Sequence, residues 1–231
     1  MVRGDFEALE RILTNRRSCR GFTGEQVPRE VIEQLLGAAQ RTASWCNTQP
    51  WHVVITSGDA TVKLRDALLQ SPDPSTGSGQ AVGSDFDFPS AYTGVYDERR
   101  KDVGWQLYEA VGVTRGDREA SSREMLRNYE FFGAPHAAII TTEADLGVYG
   151  AIDCGLYVDS FLLAAEALGL GTCAQAALAM RAQFLRDWFD LPETRKVVCA
   201  ISFGYPDAEH PSASFMSRRA PIEDAVTFVE A

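Results

Sequence analysis

Basic charge is in short supply in this chain. Lysine occurs only at 63, 101 and 196 among 231 residues, and all Lys and Arg together number 22 against 32 Asp and Glu, a formal net charge of −10. Sequence-independent nucleic-acid binding rests on neutralising many phosphates, and attraction to an anionic membrane surface needs cations too, so neither partner is expected. Histidine is scarcer still. His52, His136 and His210 lie far apart, and none has a second ligand three or four residues on, which argues against a zinc site. Five cysteines, at 19, 46, 154, 173 and 199, form no CxxC pair and read as reduced thiols of a cytoplasmic protein. Neither a GxSxG elbow nor a P-loop is present. No apolar run is expected to reach transmembrane length, and the N-terminal MVRGDFEALERIL carries acids where a signal peptide would be continuously apolar.

What is there is an ordinary globular composition, 45% hydrophobic and 23% charged, enough for one domain over residues 1–231. Phe6, Leu9, Ile12 and Leu13 recur at helical spacing over 5–14. Pro28 and Glu30 open a second helix whose buried face is Val31, Ile32, Leu35, Leu36 and Ala39. Strands are expected at 51–56 (WHVVIT), 136–142 (HAAIITT) and 197–203 (VVCAISF). Helices are expected at 59–69, 97–112, 117–131, 148–168 and 178–190. The helix over 148–168 is apolar nearly all round, as in a central core or a subunit interface. Residues 71–96, rich in Pro, Gly, Ser and Asp, deny a regular element. With the charged helices that follow, they make 71–131 an insertion that serves as a lid. The pattern is α+β.

Two candidate sites for chemistry dissolve on inspection. Gly169-Leu170-Gly171-Thr172 begins like a dinucleotide fingerprint, yet it follows a helix and has Ala174 where the third glycine belongs. Cys46 and His52 have no reason to converge as nucleophile and base. Three other features are more informative. In so acidic a chain, Arg16, Arg17 and Arg20 crowd around Ser18, and Arg218 stands beside Arg219. Guanidinium forks match phosphate oxygens and a hydroxyl adds a neutral donor, although solvated surface charge accounts for the same residues. Thr42 to Trp51 runs from a helix end through small and amide residues into a strand. Its Asn and Gln can read a heterocycle's donors and acceptors, and a capped turn with a core tryptophan explains it equally well. Aromatic residues and Arg99, Arg100 and Arg115 interleave over 90–132, which suits a planar, electron-poor aromatic ligand, although core packing is the commoner role for any single one of these aromatics.

Taken in order, Arg16-Arg17-Ser18-Cys19-Arg20 with Phe22 and Val27-Pro28, Ser44 with Asn47-Thr48-Gln49-Pro50-Trp51, Phe132-Gly133-Ala134-Pro135, Leu168 to Thr172, Gly204-Tyr205-Pro206 and Arg219-Ala220-Pro221 resemble the FMN-dependent nitroreductase family over nearly the whole chain. The resemblance implies a three-layer α+β sandwich, with a mixed, mainly antiparallel sheet flanked by helices, in an intertwined homodimer. It implies that Arg16, Ser18 and Arg219 hold the FMN phosphate, with Arg17 alongside, and that Arg20 lies at the N1/O2 edge of the ring. Ala43, Ser44, Trp45 and Asn47 would reach the cofactor of the partner subunit. Ala174, Gln175, Ala176 and Ala177 would lie against the ring near N5 and O4, with Arg100 as a further contact. The family commonly has Pro-Ser where Ala43-Ser44-Trp45 stands here, so substrates do not transfer automatically from relatives. The implied reaction moves reducing equivalents from NAD(P)H to a nitroaromatic or quinone by a ping-pong route, with no protein nucleophile and no metal. Trp105, Tyr108, Arg115 and Phe131 are the expected substrate contacts. Two other readings are a reductive dehalogenase of the same fold, weakened because only Lys101 falls in the lid, and a non-catalytic FMN-binding protein.

Overall fold

The computed structural model describes residues 2–71 and 83–230, with side chains from residue 4 onward. The elements are α1 (Val2–Asn15), α2 (Arg29–Ala39), β1 (His52–Ser57), α3 (Asp59–Gln70), α4 (Val95–Ala110), α5 (Arg118–Leu126), β2 (His136–Glu143), α6 (Gly147–Ala167), β3 (Gly171–Gln175), α7 (Ala182–Phe189) and β4 (Arg195–Gly204). The strands form one sheet in the order β1-β2-β4-β3, and every adjacent pair is antiparallel. A single parallel bridge, Ser18 to Thr172, adds the mixed character.

The apolar run of β2 is explained by burial on both faces. Ala138 and Ile140 point into a core with Ile32 and Leu35 of α2 and Cys154, Tyr157 and Phe161 of α6. Their neighbours Ala137 and Ile139 point the other way, onto Leu64 and Leu68 of α3 and Leu185 of α7. Helices therefore cover both faces of the sheet, giving three layers. His136 begins β2 fully enclosed, accepting the Val27 N–H at Nε2 (2.9 Å) and bonding Ser57 Oγ through Nδ1 (2.8 Å). Burial lowers its pKa from the ordinary value, so the ring is a neutral structural link.

Several expectations need correction. The GTCAQ segment is a strand, β3, between the helices expected at 148–168 and 178–190, where no regular element was expected. The helix expected over 117–131 stops at Leu126; hydrogen-bonded turns follow over 127–130, and Phe131 and Phe132 then adopt left-handed backbone (φ 55° and 54°) ahead of β2. The apolar stripe of α1 lies uncovered, with Phe6 64% and Leu13 51% exposed. One face of α6 does likewise through Val148, Tyr149, Ile152 and Leu156. With the turn before it, that helix (Ala144–Ala167) is also long and apolar enough by composition to cross a membrane, contrary to the expectation that no run reaches that length. Its other face is fixed in the core through Cys154, Tyr157, Phe161 and Ala165. Within the irregular stretch expected over 71–96, residues 83–94 contain no helix or strand, and 72–82 lie outside the described residues.

Candidate functional site

The segment after α1 is stitched to the end of the sheet rather than left as a loop. Ser18 bridges Thr172 of β3, the Cys19 N–H donates to the Thr172 carbonyl (2.7 Å), and Phe22 bridges Pro206 beyond β4. Two glycines allow this approach. A Cβ on Gly171 would stand 2.8 Å from Cys19 Sγ, and one on Gly21 would overlap the His210 ring at 2.2 Å. The stitching fixes Arg16, Arg17, Ser18 and Arg20 in a half-buried row. Among the described residues none of the three arginines has a carboxylate within ion-pair distance. Arg20 donates only to the Ser18 carbonyl (3.3 Å), and its guanidinium lies 5.7 Å from the Phe132 ring centre. Half-buried guanidinium groups without counter-ions, beside a serine hydroxyl, fit the phosphate of FMN. A cavity of about 230 Å³ opens next to Arg17, Gly169 and Gly171.

Burial works against ionisation of the thiol within this row. Burial raises the Cys19 pKa, with the Gly21 carbonyl bond and Arg17 opposing in part. Burial also pushes Cys173 up to about 11 and Cys154 and Cys199 up to about 12. Among the described residues no group of His, Cys, Asp and Glu is arranged to hold a metal ion.

At the other end of β3, Ala174 and Ala176 are exposed and Ala177 half-buried, while Gln175 turns inward. Its Nε2 donates to the Asn128 carbonyl (2.8 Å) and side chain (3.2 Å), and its Oε1 accepts from the Ser202 hydroxyl. The 174–177 segment thus presents backbone and methyl groups on a strand held from behind. A second cavity, about 200 Å³, is lined by Arg20, Tyr108, Glu124, Met125, Asn128 and Phe132. Glu124, Arg127 and Asn128 were not singled out in the sequence. They belong to no motif, and only folding α5 against the Arg20 segment reveals them.

Ala43, Trp45 and Asn47 are exposed and Ser44 half-buried in a tight turn with left-handed backbone at Cys46, Asn47 and Gln49. Ser44 Oγ accepts the Gln49 N–H (2.9 Å) and Asp153 of α6 accepts the Trp45 N–H (3.1 Å). The Trp45 ring packs edge-on to Tyr149 at 4.2 Å. This block therefore sits beside the uncovered face of α6.

The remaining expected residues scatter. Arg219 is exposed, bonds Ser217 Oγ (2.8 Å), and lines a groove of about 510 Å³ against α4 with Arg99 and Arg218. No contact joins it to Arg16 or Ser18. Arg100 pairs with Asp97 (3.4 Å) and lies over Tyr92. Trp105 and Tyr108 meet edge-on at 6.0 Å, with Arg115 at 5.0 Å from the Trp105 ring. Phe131 has no exposed surface and packs with Leu64, Leu178 and Ala200, so it forms core rather than a pocket wall. Its left-handed turn drives that ring inward and leaves Phe132 beside Arg20.

The fold is a three-layer α+β sandwich with a half-buried row of arginines at the edge of its sheet. Comparison with known proteins sharpens it. The profile of the Nitroreductase family matches residues 13–205. A 4-nitrobenzoate reductase from Nocardioides sp. (strain LMS-CY) is 37% identical over 96% of this chain and 90% of that protein. Nitroreductase NfnB of Mycolicibacterium smegmatis is 34% identical over 96% of the chain and 93% of its own length. The crystal structure of the FMN-dependent nitroreductase NfnB from Mycobacterium smegmatis in complex with NADPH superposes with a TM-score of 0.89 at 32% identity, over 97% of this chain and 99% of that one. The chain belongs to the nitroreductase family.

Proposed function

We propose that this protein is an FMN-dependent oxidoreductase that takes reducing equivalents from NAD(P)H and delivers them to a nitroaromatic acceptor. The observation that carries the reading is the half-buried row Arg16, Arg17, Ser18 and Arg20, cationic and without carboxylate partners among the described residues. FMN, when bound, supplies two-electron hydride chemistry with donor and acceptor. Arg16 and Ser18 hold its phosphate, with Arg17 alongside and Arg219 closing from the C-terminal tail. Arg20 stands at the N1/O2 edge, where a fixed cation favours the negative charge that reduction leaves. Ala174, Gln175, Ala176 and Ala177 back the ring, and Arg100 adds a contact from α4. Donor and acceptor take turns over one face, so neither a nucleophile nor a metal is needed.

The working unit in this reading is a homodimer in the cytoplasm. The uncovered stripes of α1 and α6 meet a second copy, which also brings Ala43, Ser44, Trp45 and Asn47 to the other subunit's cofactor. The 71–131 insertion is the lid in this reading, carried by α4 and α5, its residues 72–82 lying outside the described residues. Trp105, Tyr108 and Arg115 select the acceptor, and an aromatic wall with one cation favours a nitroaromatic that carries a carboxylate. The name of the 37% identical relative, a 4-nitrobenzoate reductase, supports that choice; quinones are the competing acceptors. The test is an anaerobic absorbance spectrum before and after NAD(P)H, and again after 4-nitrobenzoate. Flavin absorbance should bleach and return, and steady-state double-reciprocal lines should be parallel. Flavin that binds but never bleaches would return the protein to a non-catalytic FMN carrier, and intersecting lines would exclude the shared face.

A further inference from the structure

The turn that follows α5 touches both segments assigned to the flavin. Arg127 Nη2 donates to the Arg20 carbonyl (2.8 Å), and its guanidinium, like that of Arg20, lies 5.7 Å from the Phe132 ring centre. Phe132 in turn hangs from Arg127, its N–H donating to the Arg127 carbonyl (2.9 Å) in left-handed backbone. Next door, Asn128 accepts both bonds from Gln175 of β3. Main chain and ring support of Arg20 thus converge on one residue.

Glu124, one helical turn earlier, faces Arg127 through Oε2 (3.4 Å), with its side chain only 11% exposed. Its Oε1 is buried and has no hydrogen-bond partner among the described residues. A buried carboxylate oxygen left without a partner is costly and asks for a reason. Glu124 and Arg20 line the same cavity, together with Tyr108 of the lid. Its charge opposes that of Arg127, its ion-pair partner, and that of Arg20 in the same cavity.

We infer that Arg127 and Glu124 are positioning residues that set the reduction potential of the cofactor through Arg20, with opposite signs. The inference rests on the FMN reading above. Arg127 holds the cation in place and adds positive field. Glu124 restrains it, keeping the potential low enough for the reduced enzyme to pass electrons on. Because Leu107 and Tyr108 of α4 share this cavity with Glu124 and Arg20, Glu124 connects α4 to the redox site.

The experiment is the midpoint potential of the FMN-loaded protein, measured by reduction against a reference dye beside the FMN dissociation constant. R127A should lower the potential and E124Q should raise it, each by about tenfold in the reduction equilibrium, or ~30 mV for a two-electron couple. R127K, which keeps the charge without the planar fork, should fall short of wild type. Both potentials moving in the same direction, or neither moving, overturns the proposal, as does full restoration by lysine. Should R127A fail to fold, E124Q decides alone, and no rise refutes the inference. Wild-type protein that takes up no FMN overturns the FMN reading itself, an outcome distinct from a bound flavin whose potential stays put.

Discussion

Asp85, in the irregular stretch before α4, closes one of the most enclosed polar contacts of the fold. Its Oδ2 accepts from Arg186 Nη1 (2.5 Å) and from the Val197 N–H (2.7 Å), and both side chains of the ion pair are only 6% exposed. Lys196 lies 3.7 Å from the other oxygen. Asp85→Ala leaves a buried guanidinium whose remaining contacts include Glu193 at 3.6 Å and the Arg195 carbonyl at 3.3 Å. Breaking one side of such a pair costs ~3–5 kcal/mol. At ~2–4 °C per kcal/mol for a domain of this size, the melting temperature should fall by roughly 6–20 °C. Asp85→Asn keeps an acceptor and should lose about half as much. The double variant D85A/R186M replaces the pair with apolar volume and should recover most of the loss. Urea unfolding followed by circular dichroism measures all three. A loss under ~1 kcal/mol for Asp85→Ala would rank the pair with surface ion pairs and refute the reasoning.

Arg16→Ala should weaken FMN binding about 10–100-fold, the worth of a charge-assisted bond of ~1.5–3 kcal/mol, while riboflavin, which lacks the phosphate, binds as before by fluorescence quenching. Equal losses for both ligands would remove Arg16 from the phosphate. For His136, burial lowers the folded pKa below that of the unfolded chain, so the stability it contributes is complete above the ordinary histidine value and lost as pH falls through the folded one. Urea stability should therefore hold from pH 8 down to about the ordinary histidine value and decline below it towards pH 5.5, by at most ~1.4 kcal/mol per pH unit per proton. His136→Gln should flatten that slope even though His52 and His210 are also lowered, and an unchanged slope would assign the effect elsewhere. Ile152→Asp, on the uncovered face of α6, should yield a monomer in sedimentation that binds FMN poorly; a persistent dimer would move the interface to another face.

The elements that could be read from sequence are those whose residues face one environment. In α2, Pro28 and the spacing of Ile32, Leu35 and Ala39 announce a helix with one buried side, and those three residues are buried. The uninterrupted apolar runs of β2 and β4 follow from helices on both faces of the sheet. By contrast β3 has no period to read. Gly-Thr-Cys-Ala-Gln becomes a strand because β4 lies on one side and the Cys19 segment on the other, an approach that needs Gly171. The stripe on α1 was legible as periodicity, yet periodicity says nothing of what covers it. The arginine row was visible as composition, and its lack of carboxylate partners became visible only when the chain folded. Arg127 had no signal, since its role depends on a carbonyl 107 positions away.

Backbone strain sharpens the division between scaffold and site. Among the described residues six non-glycine residues have left-handed φ, and five of them fall in two short segments, Cys46–Asn47–Gln49 and Phe131–Phe132. Asparagine tolerates that region; cysteine and phenylalanine do not, at a cost on the order of 1–3 kcal/mol each. Each segment is held by contacts strong enough to keep it there. Ser44 and Asp153 bond the first turn, and a fully buried Phe131 ring pins the second. The first strained turn sets Trp45 onto the face beside α6, and the second delivers Phe132 to Arg20. A fold that needed only the turns would make both with glycine. That it spends side-chain packing to hold Trp45 and Phe132 in these places is the physical reason to assign both turns to the site, and it predicts that Phe132→Gly loosens Arg20 and lowers the cofactor potential while also lowering stability, because the strain it relieves, ~1–3 kcal/mol, is smaller than the ~3–5 kcal/mol lost with a buried ring.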